Sequence, residues 1–310
     1  MTALRRKGAM PRRSPPHRLA GLVLAAGLAA GCAAPPSTAP PRPSTGVPAT
    51  VPPSASTSAQ VPRPDHVVVV IEENRGYADV IGNPAAPYIN TLATQGASFD
   101  QSYAVAHPSQ PNYLALFSGS TQGITNDSCP HTFSGPNLAR QVIDAGMSFA
   151  AYSEDLPAPG STACLSGGYA RKHAPWVNFP SVPASTNLGF SAFPTDLGAL
   201  PTLAFVVPNL RHDMHDGTVG EADIWLHDNL DGYLRWARGH NSLLVLTWDE
   251  DDGSASNHIA TIVTGEHVPA GTRHEKITHY TLLRTVEHAL GLTPLGAAAD
   301  VAPITDLITG

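Results

Sequence analysis

Short, continuous runs of aliphatic and β-branched residues recur along residues 65–310 and constrain the fold more than any other feature of the chain. An unbroken apolar run is typical of a strand that is buried on both faces of a sheet. The runs are His66–Ile71, Phe149–Tyr152, Leu203–Val207, Leu243–Thr247 and Ile259–Val263. The sequence therefore predicts a sheet whose two faces are both covered.

Helical patterns separate these predicted strands, and two of them stop at a glycine, as helices often do. They cover Pro87–Gln95, Asn112–Phe117, Leu138–Ala145, Glu221–Ala237 and Tyr280–Leu290. Alternation of strands and helices indicates an α/β domain with a mostly parallel central sheet between two helical layers. We expect residues 65–310 to form one such three-layer α/β/α domain.

Residues 1–32 have the pattern of an export signal, with six basic residues followed by the apolar stretch Leu19–Ala30. The stretch is too short to span a bilayer. Its end, Leu28–Cys32, resembles a bacterial lipobox, in which the chain is cut before the cysteine and the thiol receives lipid. The alternative is an ordinary secretory signal with an incidental cysteine. Both predict an exported protein, and the first predicts a lipid anchor on Cys32 in the cell envelope.

Residues 33–64 are rich in Pro, Ser, Thr and Ala and lack apolar periodicity, which predicts a disordered tether. Charge narrows the possible partners further. Six of the 18 Lys and Arg lie in residues 1–32, so removing that segment changes the formal charge from −7 to −13. A surface this acidic argues against binding nucleic acid. Any phosphate substrate would have to meet local positive charge, for which a divalent metal ion is the obvious source.

The chain has three cysteines. If Cys32 carries lipid, Cys129 and Cys164 remain as a pair in an oxidising compartment, where a disulfide is the default. A Cys/His metal site is the weaker alternative, because no CxxC spacing is present.

Polar clusters follow three of the predicted strands at the point where each strand ends. Glu72–Asn74 follows the first, residues 208–216 follow the run at 203–207, and residues 248–253, with four acidic residues, follow the run at 243–247. Sites of open α/β sheets gather beyond the carboxyl ends of the strands. Each cluster alone could be a solvated loop. Together they predict convergent carboxylates that require a divalent cation, because like charges in one cleft repel one another.

Ser109 lies just before a predicted helix, between Pro108 and Pro111. A serine at this position is either an N-cap or a nucleophile activated by a metal, and the local pattern does not separate the two. Two histidines near these elements are further candidates for the site. His258 follows the acidic loop, whereas His279 opens the last helix, where a histidine is commonly a surface or capping residue.

Five blocks in order resemble the bacterial phosphoesterase family, which groups secreted acid phosphatases with non-toxin phospholipases C. They read VVVVIEENRGYADVIG, HPSQPNYLALFSGST, VPNLRHDMHDG, VLTWDEDDG and ITHYTLLRTVEHALGL. The resemblance implies an alkaline-phosphatase-like fold and metal-assisted hydrolysis of phosphate esters through a serine. This chain departs from the family pattern at Gly76, where a serine is usual, and it is shorter than the phosphatase and phospholipase members.

The resemblance also implies roles for individual residues. The implied metal ligands are Glu73, Asn74, Asp249 and Glu250. The implied nucleophile is Ser109, and His107, His215 and His279 are expected to bind the phosphate or to protonate the leaving oxygen. We expect the remaining substrate-binding residues to be Asn112, Asp213 and His258.

These observations predict an enzyme that hydrolyses small phosphate esters, with monoesters preferred. Within enzymes the alternative is a phosphodiesterase or phospholipase C. A sulfatase fits less well, because Ser109–Tyr113 lacks the arginine of the C/S-x-P-x-R motif. Outside enzymes the alternative is a solute-binding lipoprotein, which would not require both a nucleophile and an acidic metal set.

Overall fold

The computed structural model describes residues 63–254 and 256–308. Within them, nine strands form one sheet and two short strands form a hairpin. In chain order the strands are β1 His66–Glu72, β2 Ala97–Tyr103, β3 Phe149–Ser153, β4 Leu165–Ser166, β5 Tyr169–Ala170, β6 Asn187–Gly189, β7 Leu203–Val207, β8 Ser242–Trp248, β9 His258–Gly265, β10 Gly271–Arg273 and β11 Ile277–Thr278. The α-helices are α1 Tyr77–Val80, α2 Pro87–Gln95, α3 Ser109–Ser118, α4 Leu138–Asp144, α5 Val219–Ala237 and α6 His279–Ala289.

The strand order in the large sheet is β10-β2-β9-β8-β1-β7-β3-β6, with β11 also paired to β2. Strand β9 is antiparallel to both of its neighbours, and every other pairing in the described sheet is parallel. The mostly parallel sheet that the sequence predicts is therefore confirmed. Strand β9 is antiparallel to β8, and the connection between them, residues 249–257, is shorter than the dozen or more residues that a parallel crossover needs.

The two faces of the sheet are buried in separate cores, which explains the continuous apolar run of β1. Val67, Val69 and Ile71 pack in a core that includes α3, α4 and α6. Val68 and Val70 pack on the opposite face with α1, α2 and α5. Because successive side chains of a strand point to opposite faces, a strand between two helical layers requires apolar residues at every position. The three-layer α/β/α architecture is thus observed.

Strand β2 was not among the predicted strands. It contains Ser98 and Ser102, which are buried although polar, and they interrupt its apolar pattern. The Ser102 hydroxyl satisfies its hydrogen bonding with the hydroxyl of Thr261 on β9, at 2.7 Å. A hydroxyl that finds a hydrogen-bond partner across strands can be buried, so an internal strand can lack the apolar run by which strands were predicted.

The export signal, nearly all of the tether and Cys32 lie outside the described residues, so these remain predictions. None of the helices among residues 63–254 and 256–308 combines the length and the apolar character that crossing a bilayer requires.

Helix α3 ends at Gly119, whose backbone is left-handed, with φ of 68°. A Cβ atom at this position would lie 2.1 Å from the carbonyl oxygen of Leu295. Gly123 also has a positive φ, 72°, but a Cβ there would meet no atom within 4 Å. An alanine at Gly119 would therefore meet both backbone strain and a steric clash, whereas an alanine at Gly123 would meet backbone strain alone.

We predict that Gly119→Ala lowers the free energy of unfolding by roughly 3–5 kcal/mol, because overpacking adds to the left-handed strain. Gly123→Ala should lower it by only about 1–2 kcal/mol, which is the strain alone. Urea unfolding of both variants measures the difference. Equal losses would contradict the close contact between the end of α3 and Leu295.

Candidate active site

Carboxylates meet at the carboxyl edge of the sheet because β1 and β8 are adjacent, parallel and in register, with Glu72 opposite Trp248. Glu73 directly follows the end of β1, and Asp249 directly follows the end of β8. The Asp249 amide donates to the carbonyl of Glu72 at 2.9 Å, and the Asn74 amide donates to Asp249 Oδ1 at 3.2 Å. Neighbouring strand ends thus bring together residues 175 positions apart in the chain.

Ser109 is the first residue of α3, and Pro108 occupies the N-cap position without a side-chain cap. The N-cap alternative for Ser109 is therefore wrong. Its hydroxyl oxygen lies 3.0 Å from Glu73 Oε2 and 3.1 Å from Glu250 Oε1. The residue is 1% exposed. The structure thus places the predicted nucleophile between two of the predicted metal ligands.

The buried carboxylates perturb one another. Burial raises the pKa of Asp249 well above its ordinary value, and the charges of Glu73 and Glu250 raise it further. Burial likewise raises the pKa of Glu250. Burial also acts to raise the pKa of Glu73, but the positive charge of His173 outweighs it and holds that pKa at about 2. The cluster therefore needs positive charge to remain ionised.

His173, which the sequence analysis did not single out, lies between two of these acids. Its Nε2 is 3.0 Å from Glu73 Oε1, and its Nδ1 is 3.3 Å from Asp213 Oδ2. Burial lowers the pKa of His173, yet Glu73 and Asp213 raise it to about 9. Glu73 Oε1, His173 Nε2 and Asp213 Oδ2 have no partner with hydrogen-bond geometry. One ligand atom from each residue lies within 4.8 Å of the others, which is a spacing that a metal ion could use.

Lys172 is a second cation that the sequence analysis missed. Its ammonium group donates to Asp127 Oδ2 at 2.9 Å and lies 3.2 Å from His215 Nε2. Burial lowers the pKa of Lys172, but Glu73 and Asp127 raise it, and the net pKa is raised. Because an ammonium group only donates, His215 Nε2 accepts, and its Nδ1 donates to Asp216 Oδ1 at 2.7 Å. These two contacts fix the orientation of the His215 ring.

The sequence offered one signal for these two cations. Arg171, Lys172 and His173 are consecutive basic residues in an otherwise acidic chain, and they form a 3₁₀ turn directly after β5. They follow no strand of the large sheet. They are therefore not among the polar clusters that follow the strands of the large sheet.

His107 and Asp213 are also part of the site. His107 Nδ1 contacts Glu250 Oε2, and its Nε2 lies 3.2 Å from the carbonyl oxygen of Ser254. Asp213 accepts from the amide of His215 at 2.8 Å, and its carbonyl accepts from the amide of Glu73 at 2.7 Å. The turn that contains Asp213 is strained at Met214, whose φ is 81°.

The side chains of the other three predicted site residues make no hydrogen bond to Ser109 or to its carboxylate neighbours in the described structure. The Asn112 amide oxygen accepts from the amides of Val105 and Ala106, so this side chain shapes the loop before α3. The His258 ring stacks on Tyr77 and Tyr103.

His279 is buried and its Nε2 lies 2.9 Å from the carbonyl oxygen of Trp248. Burial lowers the pKa of His279 to about 4. Roles for Asn112, His258 and His279 at the substrate stay predictions.

The site opens through a cavity of about 500 Å³ that is bounded by Pro108 and Glu250 next to Ser109. Arg75, His107 and His215 also line it. This volume is in the range of small-molecule pockets. The arrangement is a solvent-connected cavity next to a buried hydroxyl and convergent carboxylates, with two cations, His173 and Lys172, near Glu73, and it suits chemistry on an anionic group.

Comparison with known proteins agrees with this geometry. The model of the Phosphoesterase family matches residues 83–293. The chain is 50% identical over 260 residues to a Mycobacterium tuberculosis (strain ATCC 25618 / H37Rv) protein named phosphatidylinositol-3-phosphatase, covering 83% of this chain and 87% of that protein. It is 32% identical to an acid phosphatase of Aspergillus fumigatus over 76% of this chain and 57% of that protein. It thus spans little more than half of that fungal enzyme.

Solved structures share the fold. A protein of the alkaline phosphatase superfamily from Vibrio parahaemolyticus matches with a TM-score of 0.56 at 11% identity, covering 80% of this chain and 72% of that one. A phosphonate monoester hydrolase from Silicibacter pomeroyi matches with a TM-score of 0.57 at 11% identity, covering 79% and 77%. The predicted alkaline-phosphatase-like fold is confirmed.

The predicted disulfide is present and links two loops next to the site. Cys129 and Cys164 are bonded, with Cα atoms 5.9 Å apart. Cys129 lies two residues after Asp127, which accepts from Lys172 and from the amide of Gln110. The Cys164 carbonyl accepts from the amide of Arg171 at 2.9 Å. The disulfide therefore joins the segment that carries Asp127 to the segment that holds Lys172.

We predict that the double variant Cys129→Ser, Cys164→Ser unfolds with a free energy lower by about 3 kcal/mol, because the bond closes a long loop. Its kcat/KM should also fall roughly 10-fold, since the Lys172 segment loses its tether. Activity is measured at a temperature at which circular dichroism shows the variant to be folded. A less stable variant with undiminished activity would show that the disulfide does not position the site.

Proposed function

The chain belongs to the Phosphoesterase family and is a phosphoric ester hydrolase, and on this premise we propose that it hydrolyses phosphate monoesters with Ser109 as its nucleophile. We further propose that a divalent cation binds next to the Ser109 hydroxyl. Its ligands in this proposal are Glu73, Asn74, Asp249 and Glu250.

The position of the Ser109 hydroxyl carries the proposal. A hydroxyl has one proton, yet this oxygen lies within hydrogen-bonding distance of carboxylate oxygens of both Glu73 and Glu250. Two buried carboxylates around one hydroxyl are unfavourable without a positive charge between them. A cation there would be shared by all three oxygens.

The donor set fits a hard divalent cation. Carboxylate, amide and hydroxyl oxygens are the ligands that such ions prefer. Asp249 Oδ2 is buried and has no hydrogen-bond partner in the described structure, so it is available as a ligand. Asn74 has a left-handed backbone, with φ of 47°, and lines the cavity. When bound, the ion would lower the pKa of the serine and polarise a phosphoryl oxygen.

The residues of the chain have separate tasks in this proposal. The Ser109 hydroxyl gives its proton to Glu250, whose Oε1 lies 3.1 Å away, as its oxygen bonds to phosphorus and the bond between phosphorus and the ester oxygen breaks. His107, which lines the cavity and contacts Glu250, gives a proton to the leaving alcohol. His173 and Lys172 supply fixed positive charge behind Glu73, which offsets the charge of the transferring phosphoryl group. Water then hydrolyses the phosphoserine and restores Ser109.

The Mycobacterium tuberculosis relative is named for a 3-phosphate of phosphatidylinositol. At 50% identity this supports an inositol-lipid monoester as a substrate of this chain. The proposed lipid anchor on Cys32 would hold an exported enzyme at a membrane surface. The anchor would determine the location of the enzyme but not its substrate, which is identified by assaying lipid and soluble esters side by side.

We predict that Ser109→Ala lowers turnover of p-nitrophenyl phosphate by roughly 10³-fold or more, because it removes the nucleophile. Ser118→Ala is the matched control. It removes an equally buried hydroxyl from the same helix, and this hydroxyl donates to the Leu114 carbonyl at 2.8 Å. Both variants should keep the circular dichroism spectrum of the wild type. A Ser109→Ala enzyme as active as Ser118→Ala would refute the assignment.

Metal removal gives an independent prediction. Dialysis against EDTA should abolish activity, and adding back divalent metal should restore it. Asp249→Asn should raise the metal concentration needed for half of full activity by at least about 10-fold, because it weakens a ligand. Asp252→Asn, an exposed change in the same acidic loop, should leave that concentration unchanged. Full activity in a sample free of metal by elemental analysis would rule out the cation.

A further inference from the structure

Arg75 lines the cavity of the site and follows directly after the proposed ligands Glu73 and Asn74. Its guanidinium group is held by two carbonyl oxygens. Nη1 donates to the Asn74 carbonyl at 2.7 Å, and Nη2 donates to the Gly217 carbonyl at 3.1 Å. Neither acceptor is charged, so the positive charge of Arg75 is fixed in place without being neutralised.

The other cations around the site already have acidic or multiple partners. Lys172 pairs with Asp127, and His173 lies between two carboxylates. Arg211 pairs with Glu221. In the described part of the chain, no carboxylate oxygen lies within 4.0 Å of the Arg75 guanidinium nitrogens. A guanidinium group has five N–H donors, so about three remain for a ligand.

The carboxylates of Glu250, Asp251 and Asp252 line the same cavity, but none of them forms an ion pair with Arg75 within 4.0 Å in the described structure. Asp251 is buried, and its carboxylate accepts from the amides of Gly253 and Ser254 and from the Ser254 hydroxyl. Its oxygens are thus directed to its own loop and to His107, whose Nε2 lies 3.5 Å from Oδ1, and not to Arg75. The chain as a whole is acidic, so an unpaired and immobilised arginine in its active-site cavity is unusual enough to indicate an anionic ligand.

We propose that Arg75 forms a subsite for a second phosphate group of the substrate, separate from the phosphate that is cleaved. This rests on the proposed monoesterase function and specifies its substrate class. The planar guanidinium fork matches a phosphate with two parallel hydrogen bonds. The cavity of about 500 Å³ is lined by Arg75 and by Pro108 and Glu250, which lie next to Ser109, so it has room for a ligand that reaches from one to the other. The phosphodiester of an inositol lipid and the second phosphate of a soluble inositol bisphosphate share this chemistry.

The test compares three substrates on one ring: inositol 3-phosphate, inositol 1,3-bisphosphate and dioctanoyl phosphatidylinositol 3-phosphate. The wild type should prefer the last two, and Arg75→Gln should reduce that preference about 10- to 100-fold, mainly through KM. Arg211→Gln is the control, because it removes an equal charge that is already paired with Glu221. It should leave the preference intact.

Hydrolysis of p-nitrophenyl phosphate by the wild type separates the two levels of the proposal. If the wild type does not cleave this monoester, the proposed function itself fails. If it does, an Arg75→Gln enzyme that loses the same factor on all three inositol substrates overturns the subsite. A loss confined to the lipid also overturns it, because Arg75 would then act on the lipid aggregate and not on a second phosphate.

Discussion

The structure depends on the register between two adjacent parallel strands. Because β1 and β8 are in register up to Glu72 and Trp248, the residues that follow, Glu73 and Asp249, emerge at the same height on the same edge. Both are buried, so their charges interact through a medium that screens them poorly. The site offsets this repulsion between carboxylates with positive charge. His173 neutralises one oxygen of Glu73, and the proposed cation would neutralise the other.

Glu73 links two halves of the site, because its two oxygens face different partners. Oε2 faces Ser109, and Oε1 faces His173. The backbone amide of Glu73 also donates to the carbonyl of Asp213, which fixes the strand end against the loop after β7. A displacement of this single side chain would therefore act at once on the nucleophile and on the positive charge behind it.

Much of this could be predicted from the sequence, for a physical reason. Strands between two helical layers need continuous apolar runs, so β1, β3, β7, β8 and β9 were visible, and polar residues at their ends marked the site. What stayed hidden obeys other rules. Strand β2 has two buried serines, one of which, Ser102, bonds across strands to Thr261, and Lys172 and His173 lie on a turn without periodicity. The predicted helical pattern began at Asn112, whereas α3 begins at Ser109, because helix boundaries are the least certain part of a pattern.

In an acidic protein that acts on an anionic substrate, the surface carboxylates repel the substrate, and the strength of this repulsion depends on distance. At physiological ionic strength, charges beyond about 8 Å are largely screened, so the surface excess of carboxylates repels a substrate only weakly once it enters the cleft. Inside, the outcome depends on which cations still have free donors. Lys172 and His173 are engaged by acids of the fold and act through their charge, whereas Arg75 is held by neutral carbonyls and keeps donors for a ligand. In the proposed mechanism, catalysis and selectivity therefore belong to different cations: His173 and Lys172 near Glu73, and Arg75 in the wall of the cavity.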